Sequence, residues 1–297
     1  MIIGTLDDVT ADALDAMRRT EDPRLREILV SLVSHLHAFV REVGLTESEF
    51  REAAALLNEI GQLSSDSHNE AMLMAGSLGV SSLVCLFNNG FDGNTETSQS
   101  LLGPFWRLNS PRTPNGGTIV RSETPGEPLF VEGRVVDRFG APISGAEVDI
   151  WHASPSGLYE NQDLEQVDMN LRGKFTTDAE GRFSLVTVKM VGYPIPTDGV
   201  VGRLLKAQNR QPKRPARLHA LIFKQGFKTL ISQVYDPQDP NLAVDPQFGV
   251  TQALIGEYVR HDEPHPLVPA ISRPWFSLDY TYILEPGEAI LPRPPIK

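Results

Sequence analysis

Residues 129–151 read LFVEGRVVDRFGAPISGAEVDIW and decide the fold class. Aliphatic and aromatic side chains recur with a two-residue period in residues 129–136 and again in residues 146–151, which is typical of β-strands. Between these segments stand Gly140, Pro142 and Gly145, residue types that favour turns. The stretch therefore predicts two strands joined by a turn.

Strands of the same kind follow towards the C-terminus. They are predicted at residues 174–177, 181–188, 218–223, 229–235 and 276–284. The turn residues at 178–181 predict that the first two of these strands pair as a hairpin. Short strands with frequent turns and no helices between them predict an antiparallel β-sandwich.

The first third of the chain has the three- and four-residue apolar period of helices instead. Asp22 is predicted to cap a helix that has Pro23 in its first turn and ends at Gly44. Thr46 and Glu49 are predicted to form the capping box of the next helix. A further helix is predicted over residues 67–90.

Residues 91–118 are rich in Gly, Asn, Pro and Ser and are predicted to form a linker. We therefore predict an α+β chain, with a helical N-terminal domain and linker at residues 1–105 and a β-sandwich domain at residues 106–297. The helices have more apolar surface than they can bury among themselves. This surplus predicts that they pack on the other domain, on a second subunit, or on both.

The composition excludes several classes of protein. A formal charge of −11 over 297 residues argues against binding to a nucleic-acid backbone and indicates an acidic, solubilising surface. The single cysteine, Cys85, excludes an internal disulfide and predicts a cytoplasmic location. The N-terminus lacks a signal-peptide pattern. Glycines and serines interrupt the most apolar window, residues 72–87, which predicts a buried helix rather than a membrane span.

Two tyrosines and a histidine stand out between residues 151 and 223, each beside a predicted strand and turn residues. Tyr159 belongs to Gly-Leu-Tyr, Tyr193 to Gly-Tyr-Pro, and His219 ends Arg-Pro-Ala-Arg-Leu-His. Phenolate oxygen and imidazole nitrogen are ligands that suit ferric iron. For two isolated tyrosines, the pattern alone favours half-buried sheet residues with hydrogen-bonded hydroxyls over metal ligands.

Several long blocks of the sequence carry a family likeness. They are LLGPF (101–105), DIWH (149–152), MNLRGKF (169–175), VGYPIPTDG (191–199), RPA (214–216) with His219, and PWFSLDY (274–280). Together the blocks resemble the intradiol ring-cleavage dioxygenases, and within that family hydroxyquinol 1,2-dioxygenase and catechol 1,2-dioxygenase. Long blocks in one order are far more specific than a single short motif.

The resemblance implies a non-haem Fe(III) cofactor and cleavage of hydroxyquinol or a related catechol by O2 to a muconate-type dicarboxylate. Tyr159, Tyr193 and His219 match metal ligands. Tyr193 is expected to leave the metal and act as a base when the substrate binds. Arg214 matches an arginine that stabilises negative charge on the substrate, and Gln233 matches a polar residue near the site.

The resemblance also has implications for the pocket and for partners. Leu73, Gly103 and Pro104 match positions of the substrate pocket. A homodimer formed through the N-terminal helices is implied, with a phospholipid bound at the dimer interface. Neither of these partners follows from the helical period.

Arg217 departs from the family pattern, which reads Arg-Pro-Ala-His-x-His and uses both histidines as iron ligands. A guanidinium has no lone pair to offer a metal and stays protonated in proteins. We therefore predict a three-ligand iron site with weaker affinity and impaired or altered activity, because the added cation repels iron.

Two alternatives remain open at Arg217. The first is a metal-poor, non-cleaving relative that binds an aromatic ligand or catalyses different chemistry in the same pocket. Arg217 would then belong to the substrate pocket and pair with a ligand carboxylate or with the tyrosines. In the second, Arg217 and His219 only support the fold, and the helices make the chain an interaction protein.

Other histidines could supply the missing ligand only if folding brought them close. His152 lies seven residues before Tyr159, and no pattern supports it as a ligand. His261 and His265 are predicted to be solvated loop residues, and His68 a surface or capping residue. The chain has no Gly-x-Ser-x-Gly elbow, phosphate-binding loop or dinucleotide fingerprint, so these rival enzyme classes gain no support.

Overall fold

The structure is a computed structural model that describes residues 2–65, 68–89, 97–266, 268 and 271–295. Contacts divide the chain into two units, Met1–Glu59 and Ile60–Lys297. Every candidate site residue named above lies in the second unit.

Within the described residues the chain forms six α-helices and eleven β-strands. The helices are α1 (Leu6–Arg18), α2 (Pro23–Val43), α3 (Glu47–Leu63), α4 (Glu70–Ser77), α5 (Val80–Asn89) and α6 (Val200–Ala207). The strands are β1 (Gly117–Thr118), β2 (Pro128–Asp137), β3 (Glu147–Trp151), β4 (Arg172–Thr176), β5 (Arg182–Val188), β6 (Tyr193–Pro194), β7 (Lys213–Arg214), β8 (Arg217–Phe223), β9 (Leu230–Tyr235), β10 (Glu257–His261) and β11 (Trp275–Leu284). Five of these helices precede β1, as expected for an α+β chain with helices first.

The helix ends of the first unit use the predicted capping residues. At the start of α2 the Asp22 carboxylate accepts the Leu25 N–H at 2.6 Å, and Gly44 ends the helix in the left-handed region with φ of 60°. Thr46 and Glu49 exchange capping hydrogen bonds at the start of α3. These predictions are confirmed.

The helix predicted over residues 67–90 is two helices rather than one. α4 and α5 meet at 76°, and Gly79 between them takes a φ of 76°, which interrupts the helical path. Residues 67 and 90–96 lie outside the described part of the chain. Among the described residues no single helix is long and apolar enough to cross a membrane; α4 and α5 meet that test only as a bent pair.

The longer strands form two sheets, and the predicted fold class is confirmed. One sheet has the order β1-β5-β2-β11-β10 and the other the order β4-β3-β8-β9. The first sheet is mixed rather than antiparallel, because β11 pairs in parallel with β2 and β1 pairs in parallel with β5. The predicted hairpin of β4 and β5 is wrong: they belong to different sheets, so residues 178–181 carry the chain from one sheet to the other.

Strand β8 connects the apolar core to the candidate site. Leu218, Ala220 and Ile222 join the core between the sheets, together with apolar residues of β2, β5 and β11. Each large aliphatic side chain buried there stabilises the fold by about 1.5–3 kcal/mol. Because side chains alternate along a strand, Arg217 and His219 project from the opposite face of the sheet. The candidate site therefore lies on the outer face of the four-stranded sheet.

Candidate active site

His219 is held on this outer face by its neighbours across the sheet. Trp151 of β3 and Gln233 of β9 stand on either side of it in register. The Trp151 indole stacks on the imidazole, with ring centroids 4.9 Å apart and planes inclined by 15°. Arg217 lies two residues earlier on the same strand and therefore on the same face. The sheet thus presents an imidazole and a guanidinium side by side.

Tyr159 reaches His219 from the loop that follows β3. Gly157 turns that loop with φ of 81°, a value that suits glycine. The Tyr159 hydroxyl and His219 Nε2 share a hydrogen bond of 3.0 Å, and both side chains are buried. Phe105 stacks on the Tyr159 ring at 4.3 Å between centroids. The loop and the sheet thus bring one phenol and one imidazole together.

Tyr193 comes from the two-stranded ribbon of β6 and β7, where it pairs with Arg214. Its ring lies 5.4 Å from the Tyr159 ring, nearly perpendicular to it. Arg217 Nη2 donates to the Tyr193 hydroxyl, and Arg217 Nη1 donates to the Pro215 carbonyl at 2.8 Å. The guanidinium carbon also lies 4.6 Å from the centroid of the Tyr193 ring. Tyr193 therefore has a cation against both its hydroxyl and its ring.

The structure brings Tyr159, Tyr193 and His219 together, with Arg217 beside them. Burial, and then Tyr193, raises the pKa of Tyr159 well above its usual range, although Arg217 and Arg172 oppose the rise. Burial, assisted by cations of which Arg217 comes first, holds the pKa of His219 well below its usual range. At neutral pH the Tyr159 hydroxyl therefore keeps its proton and His219 is uncharged.

Arg214 is buried and held by a two-point ion pair. Its Nε and Nη2 donate to the two carboxylate oxygens of Asp245 at 3.0 and 3.1 Å. The backbone N–H groups of Gln247 and Gly249 also donate to Asp245, at 3.2 and 2.9 Å. Burial alone would raise the pKa of Asp245, but Arg214 and the other donors outweigh it and hold the pKa at about 2. Sequence reasoning missed Asp245, because no local motif connects it to Arg214.

Gln233 is oriented at both ends of its amide. Its Nε2 donates to the Leu101 carbonyl, and its Oε1 accepts from the Tyr235 hydroxyl at 2.7 Å. The Gln233 side chain is fully buried next to His219 in the sheet register. A buried amide with both ends bonded keeps one orientation.

The three pocket residues taken from the family likeness lie in different surroundings. A Cβ on Gly103 would stand 3.6 Å from His219 Cε1, so Gly103 borders the imidazole. Pro104 is exposed, and Leu73 of α4 packs against apolar residues of α6 and the segment before it. The structure thus places Gly103 next to the His219 imidazole, leaves Pro104 exposed and packs Leu73 in the α6 region.

A buried ion pair lies next to Tyr159 and was not predicted. Arg172 Nε donates to Glu160 Oε1 at 2.7 Å, and Arg172 Nη1 donates to the Phe105 carbonyl. Arg107 adds a second cation at 3.1 Å from the same carboxylate oxygen. The pair thus ties the Tyr159 loop to the residue that stacks on its ring. The block 169–175 contains Arg172, but nothing local in the sequence identifies Glu160 as its partner.

Asp149 on β3 is a second buried carboxylate near this loop. Its Oδ2 accepts from Trp106 Nε1 at 3.1 Å. Burial raises the pKa of Asp149 to about 6, against the opposing effects of hydrogen bonds and of Lys174 and Arg172. Asp149 therefore changes its protonation near pH 6, whereas Asp245 stays ionised down to about pH 2.

The other histidines are engaged elsewhere. Both ring nitrogens of His152 are in hydrogen bonds, with the Ala153 carbonyl at 2.8 Å and with the Thr187 hydroxyl at 2.7 Å. The prediction that His265 is solvated is wrong, because it is buried against Trp275. Among the residues that the structure describes, no three His, Cys, Asp or Glu side chains form a metal site.

The candidate donors are therefore two phenols and one imidazole. Tyr159 Oη and His219 Nε2 lie 3.0 Å apart, close to the spacing of neighbouring ligands on one ion with bonds of about 2.1 Å. Both atoms can bind a metal only after the proton between them has left. Arg217 cannot be a ligand, and its bond to Tyr193 must rearrange before Tyr193 binds a metal. Tyr159, Tyr193 and His219 therefore fit ferric iron, whereas the positive charge of Arg217 opposes its binding.

A small surface cleft lies beside these groups. Its lining includes Leu101, which accepts the Gln233 hydrogen bond. It also includes Gly249, where a Cβ would stand 2.7 Å from Arg214 Nη2. The cleft therefore adjoins the Gln233 and Arg214 side of the site.

Comparison with known proteins shows what the chain is similar to. Residues 101–284 match the family described as "Dioxygenase", and residues 22–95 match "Catechol dioxygenase N terminus". The chain is 38% identical to the hydroxyquinol 1,2-dioxygenase of Rhizobium sp. strain MTP-10005, over 90% of this chain and 91% of that protein. It is 37% identical to the catechol 1,2-dioxygenase of Candida albicans, over 81% of this chain and 80% of that protein.

Similarity extends to a solved structure. The crystal structure of hydroxyquinol 1,2-dioxygenase from Pseudomonas putida DLL-E4 superimposes with a TM-score of 0.88 and is 34% identical in sequence. The match covers 95% of this chain and 99% of that chain. Fold and sequence therefore agree over nearly the whole length of both proteins.

Proposed function

This chain belongs to the intradiol ring-cleavage dioxygenase family and is a dioxygenase, and we propose that its substrate is hydroxyquinol or a related catechol. In the proposed reaction the ring bond between the two adjacent hydroxylated carbons breaks. Both atoms of O2 enter the product, a muconate-type dicarboxylate, so the reaction balances without another reductant.

One observation carries this proposal. The Tyr159 hydroxyl and His219 Nε2 converge at 3.0 Å, beside Tyr193, in a chain that is similar to a hydroxyquinol 1,2-dioxygenase over nine-tenths of its length. The convergence of these side chains is what a shared metal requires, and the similarity indicates which reaction the metal serves.

The proposed cofactor is a non-haem Fe(III) ion held by Tyr159, Tyr193 and His219. When bound, ferric iron activates an aromatic diol by drawing electron density from its two adjacent hydroxyl oxygens. Trp151 fixes the plane of the imidazole by stacking, and Phe105 does the same for the Tyr159 ring. Rigid support of this kind keeps ligand atoms in position.

Tyr193 is the proposed base. Arg217 Nη2 donates to its hydroxyl oxygen, and a guanidinium donor stabilises negative charge on the oxygen that it contacts. A phenolate at this position can accept the proton of a substrate hydroxyl. Arg214, held by Asp245, is proposed to stabilise negative charge that develops on the substrate, with Gln233 as a further polar contact.

Arg217 determines the iron affinity that we expect. A fixed positive charge next to ferric iron opposes metal binding through Coulomb repulsion, and three protein ligands hold the ion less firmly than four. We therefore propose weaker iron binding and lower or altered activity than a chain with a second histidine would have. Arg217 is also assigned to the substrate pocket, together with Leu73, Gly103 and Pro104.

The first unit supports a proposed homodimer. No residue of α2 is buried, and Leu32, Leu36 and Phe39 are each about half exposed. We propose that this apolar face packs against a second copy of the chain and that a phospholipid binds at the interface. A boundary between residues 105 and 106 and a cytoplasmic location also remain proposals, the latter based on the single cysteine.

Oxygen uptake by the iron-loaded protein tests the proposed reaction. With hydroxyquinol and with catechol, we expect equal amounts of O2 consumed and ring-opened dicarboxylate formed, and a higher kcat/KM for hydroxyquinol. Tyr159→Phe is the matched control, because it keeps the ring that stacks on Phe105 and removes only the ligand oxygen. Uptake by Tyr159→Phe at the wild-type rate, or uptake without ring-opened product, would contradict the proposal.

A further inference from the structure

Three arginines are buried among the residues that the structure describes, and they differ in their charge partners. They are Arg172, Arg214 and Arg217, each no more than 4% exposed. Arg172 pairs with Glu160 and Arg214 pairs with Asp245. Arg217 bonds to a hydroxyl and a carbonyl, and no described carboxylate lies within ion-pair distance of it. While Tyr193 is a neutral phenol, the described residues therefore hold a buried positive charge at Arg217 without a paired negative charge.

The hydrogen bonds of Arg217 do not neutralise it. The Tyr193 hydroxyl and the Pro215 carbonyl accept two of its N–H groups, while its buried Nε–H has no hydrogen-bond partner among the described residues. Asp245 interacts electrostatically with Arg217, but its oxygens are bound by Arg214 and by two backbone N–H groups. Buried charges in folded proteins are normally paired, so this position is suited to an anion.

One aromatic ring lies against this guanidinium, and two more rings pack on that ring. Its carbon lies 4.6 Å from the centroid of the Tyr193 ring, and the Tyr159 ring lies 5.4 Å from Tyr193 in an edge-on arrangement. Phe105 adds a third ring, 6.3 Å from Tyr193. Aromatic side chains next to a cation suit a flat aromatic ligand, which can make stacking and edge-to-face contacts with them.

We propose that Arg217 binds a negatively charged oxygen of an aromatic ligand, so that the site selects rings with a carboxylate or an ionised hydroxyl over neutral rings. The inference deepens the proposed function, and it rests on that function in taking an aromatic ligand at this site. A guanidinium can bind both oxygens of a carboxylate or the single oxygen of a phenolate. The substrate class is therefore an aromatic diol that presents an anionic oxygen to Arg217.

Ligand binding to the iron-free protein tests this inference. Chelator-treated protein is titrated calorimetrically with benzoate and with benzamide, which has a similar shape and no charge. We expect benzoate to bind about tenfold or more tightly, the effect of one charge-assisted hydrogen bond. A second arm uses 4-nitrophenol below its own pKa, because binding as the phenolate turns the solution yellow.

Matched variants separate charge from shape. Arg217→Gln keeps amide N–H donors and removes the charge, so it should lose the benzoate preference and the yellow colour while benzamide binds as before. Arg217→Lys keeps the charge and should retain part of the preference. Arg112→Gln is the control, since this exposed arginine pairs with Glu147, and it should behave as the wild type.

A preference for benzoate or for the nitrophenolate that disappears in Arg217→Gln supports the proposal. A benzoate preference identifies a carboxylate as the preferred anion, and phenolate colour identifies an ionised hydroxyl. Equal binding of benzoate and benzamide without phenolate colour overturns it, as does a preference that survives in Arg217→Gln. If circular dichroism shows that Arg217→Gln is unfolded, the wild-type preference for the anion and its partial retention in Arg217→Lys test the proposal instead. These titrations need neither iron nor turnover, so they test anion binding separately from ring cleavage. A protein that cleaves no ring can still show the anion preference, and an active dioxygenase can lack it.

Discussion

Two flanks of the candidate site contain a buried arginine but differ in what surrounds it. The Tyr159 flank consists of Phe105, Tyr159, Glu160 and Arg172, and the Tyr193 flank consists of Tyr193, Pro215 and Arg217. On the first, a carboxylate lies 2.7 Å from the guanidinium of Arg172. On the second, a hydroxyl and a carbonyl are the described acceptors of Arg217. While Tyr193 is a neutral phenol, neither acceptor carries a formal charge.

This difference separates a supporting role from a binding role. Glu160 neutralises the charge of Arg172 within the protein, and this ion pair fixes the loop that carries Tyr159. The unmatched charge of Arg217 attracts an anion and repels a metal ion. Iron affinity and ligand charge should therefore depend on Arg217, whereas stability should depend on the pair of Arg172 and Glu160.

The largest expected effect lies on the Tyr159 flank. Glu160→Gln leaves the guanidinium of Arg172 buried without its carboxylate, and the free energy of unfolding should fall by about 3–5 kcal/mol. Urea denaturation followed by tryptophan fluorescence measures this change. Glu47→Gln is the control, because it breaks an exposed ion pair with Arg51 and should leave the free energy nearly unchanged. Equal effects of the two variants would remove the supporting role assigned to Glu160.

A smaller effect sharpens the comparison between Asp245, which forms an ion pair, and Asp149, which accepts a hydrogen bond from Trp106. Burial raises the pKa of Asp149 to about 6, whereas the ion pair holds the pKa of Asp245 at about 2. Because the folded chain binds the Asp149 proton more tightly than the unfolded chain, stability should decrease as pH rises from about 4 to about 6. The decrease should be on the order of 2–3 kcal/mol.

Asp149→Asn should remove this decrease, because an amide does not titrate in that range and can still accept the Trp106 hydrogen bond. Urea denaturation at a series of pH values measures the slope. Asp262→Asn, at an exposed aspartate, should keep the wild-type slope. If the slope persists in Asp149→Asn, it belongs to another group and the contrast with Asp245 does not hold.

The smallest expected effect lies on the Tyr193 flank. Arg217→Gln should change the free energy of unfolding by no more than about 1 kcal/mol, because no described carboxylate forms an ion pair with Arg217 and the amide can still donate to Tyr193. The same urea measurement decides. A loss as large as that of Glu160→Gln would mean that a group within the protein neutralises Arg217, which would end the distinction between the flanks.

Local features of the fold were predictable from the sequence. The cap at Asp22 and the stop at Gly44 act within one helical turn, so their residue types are sufficient. Strands predicted at residues 129–136 and 276–284 are observed at Pro128–Asp137 and Trp275–Leu284. Their parallel pairing was not predictable, because a two-residue period fixes which face is buried and not which strand lies alongside.

The site divides in the same way. Sequence blocks singled out Tyr159, Tyr193 and His219, and the fold brings these side chains together. Glu160 and Asp245 were missed, because their partners lie 12 and 31 residues away and only tertiary packing brings them into contact. Residues in family-like sequence blocks can be identified from the sequence. Residues that hold other side chains in place through tertiary contacts are identified only from the structure.

The central claim is that Tyr159, Tyr193 and His219 bind iron and that Arg217 weakens the binding. Ferric iron is titrated into metal-free wild type and Arg217→His side by side, against a competing chelator, and the tyrosinate-to-iron absorption is followed in the visible range. We expect the band in both proteins and an affinity about tenfold or more higher in Arg217→His. Equal affinities would contradict the role of Arg217, and a missing band in both proteins would contradict the ligand set itself.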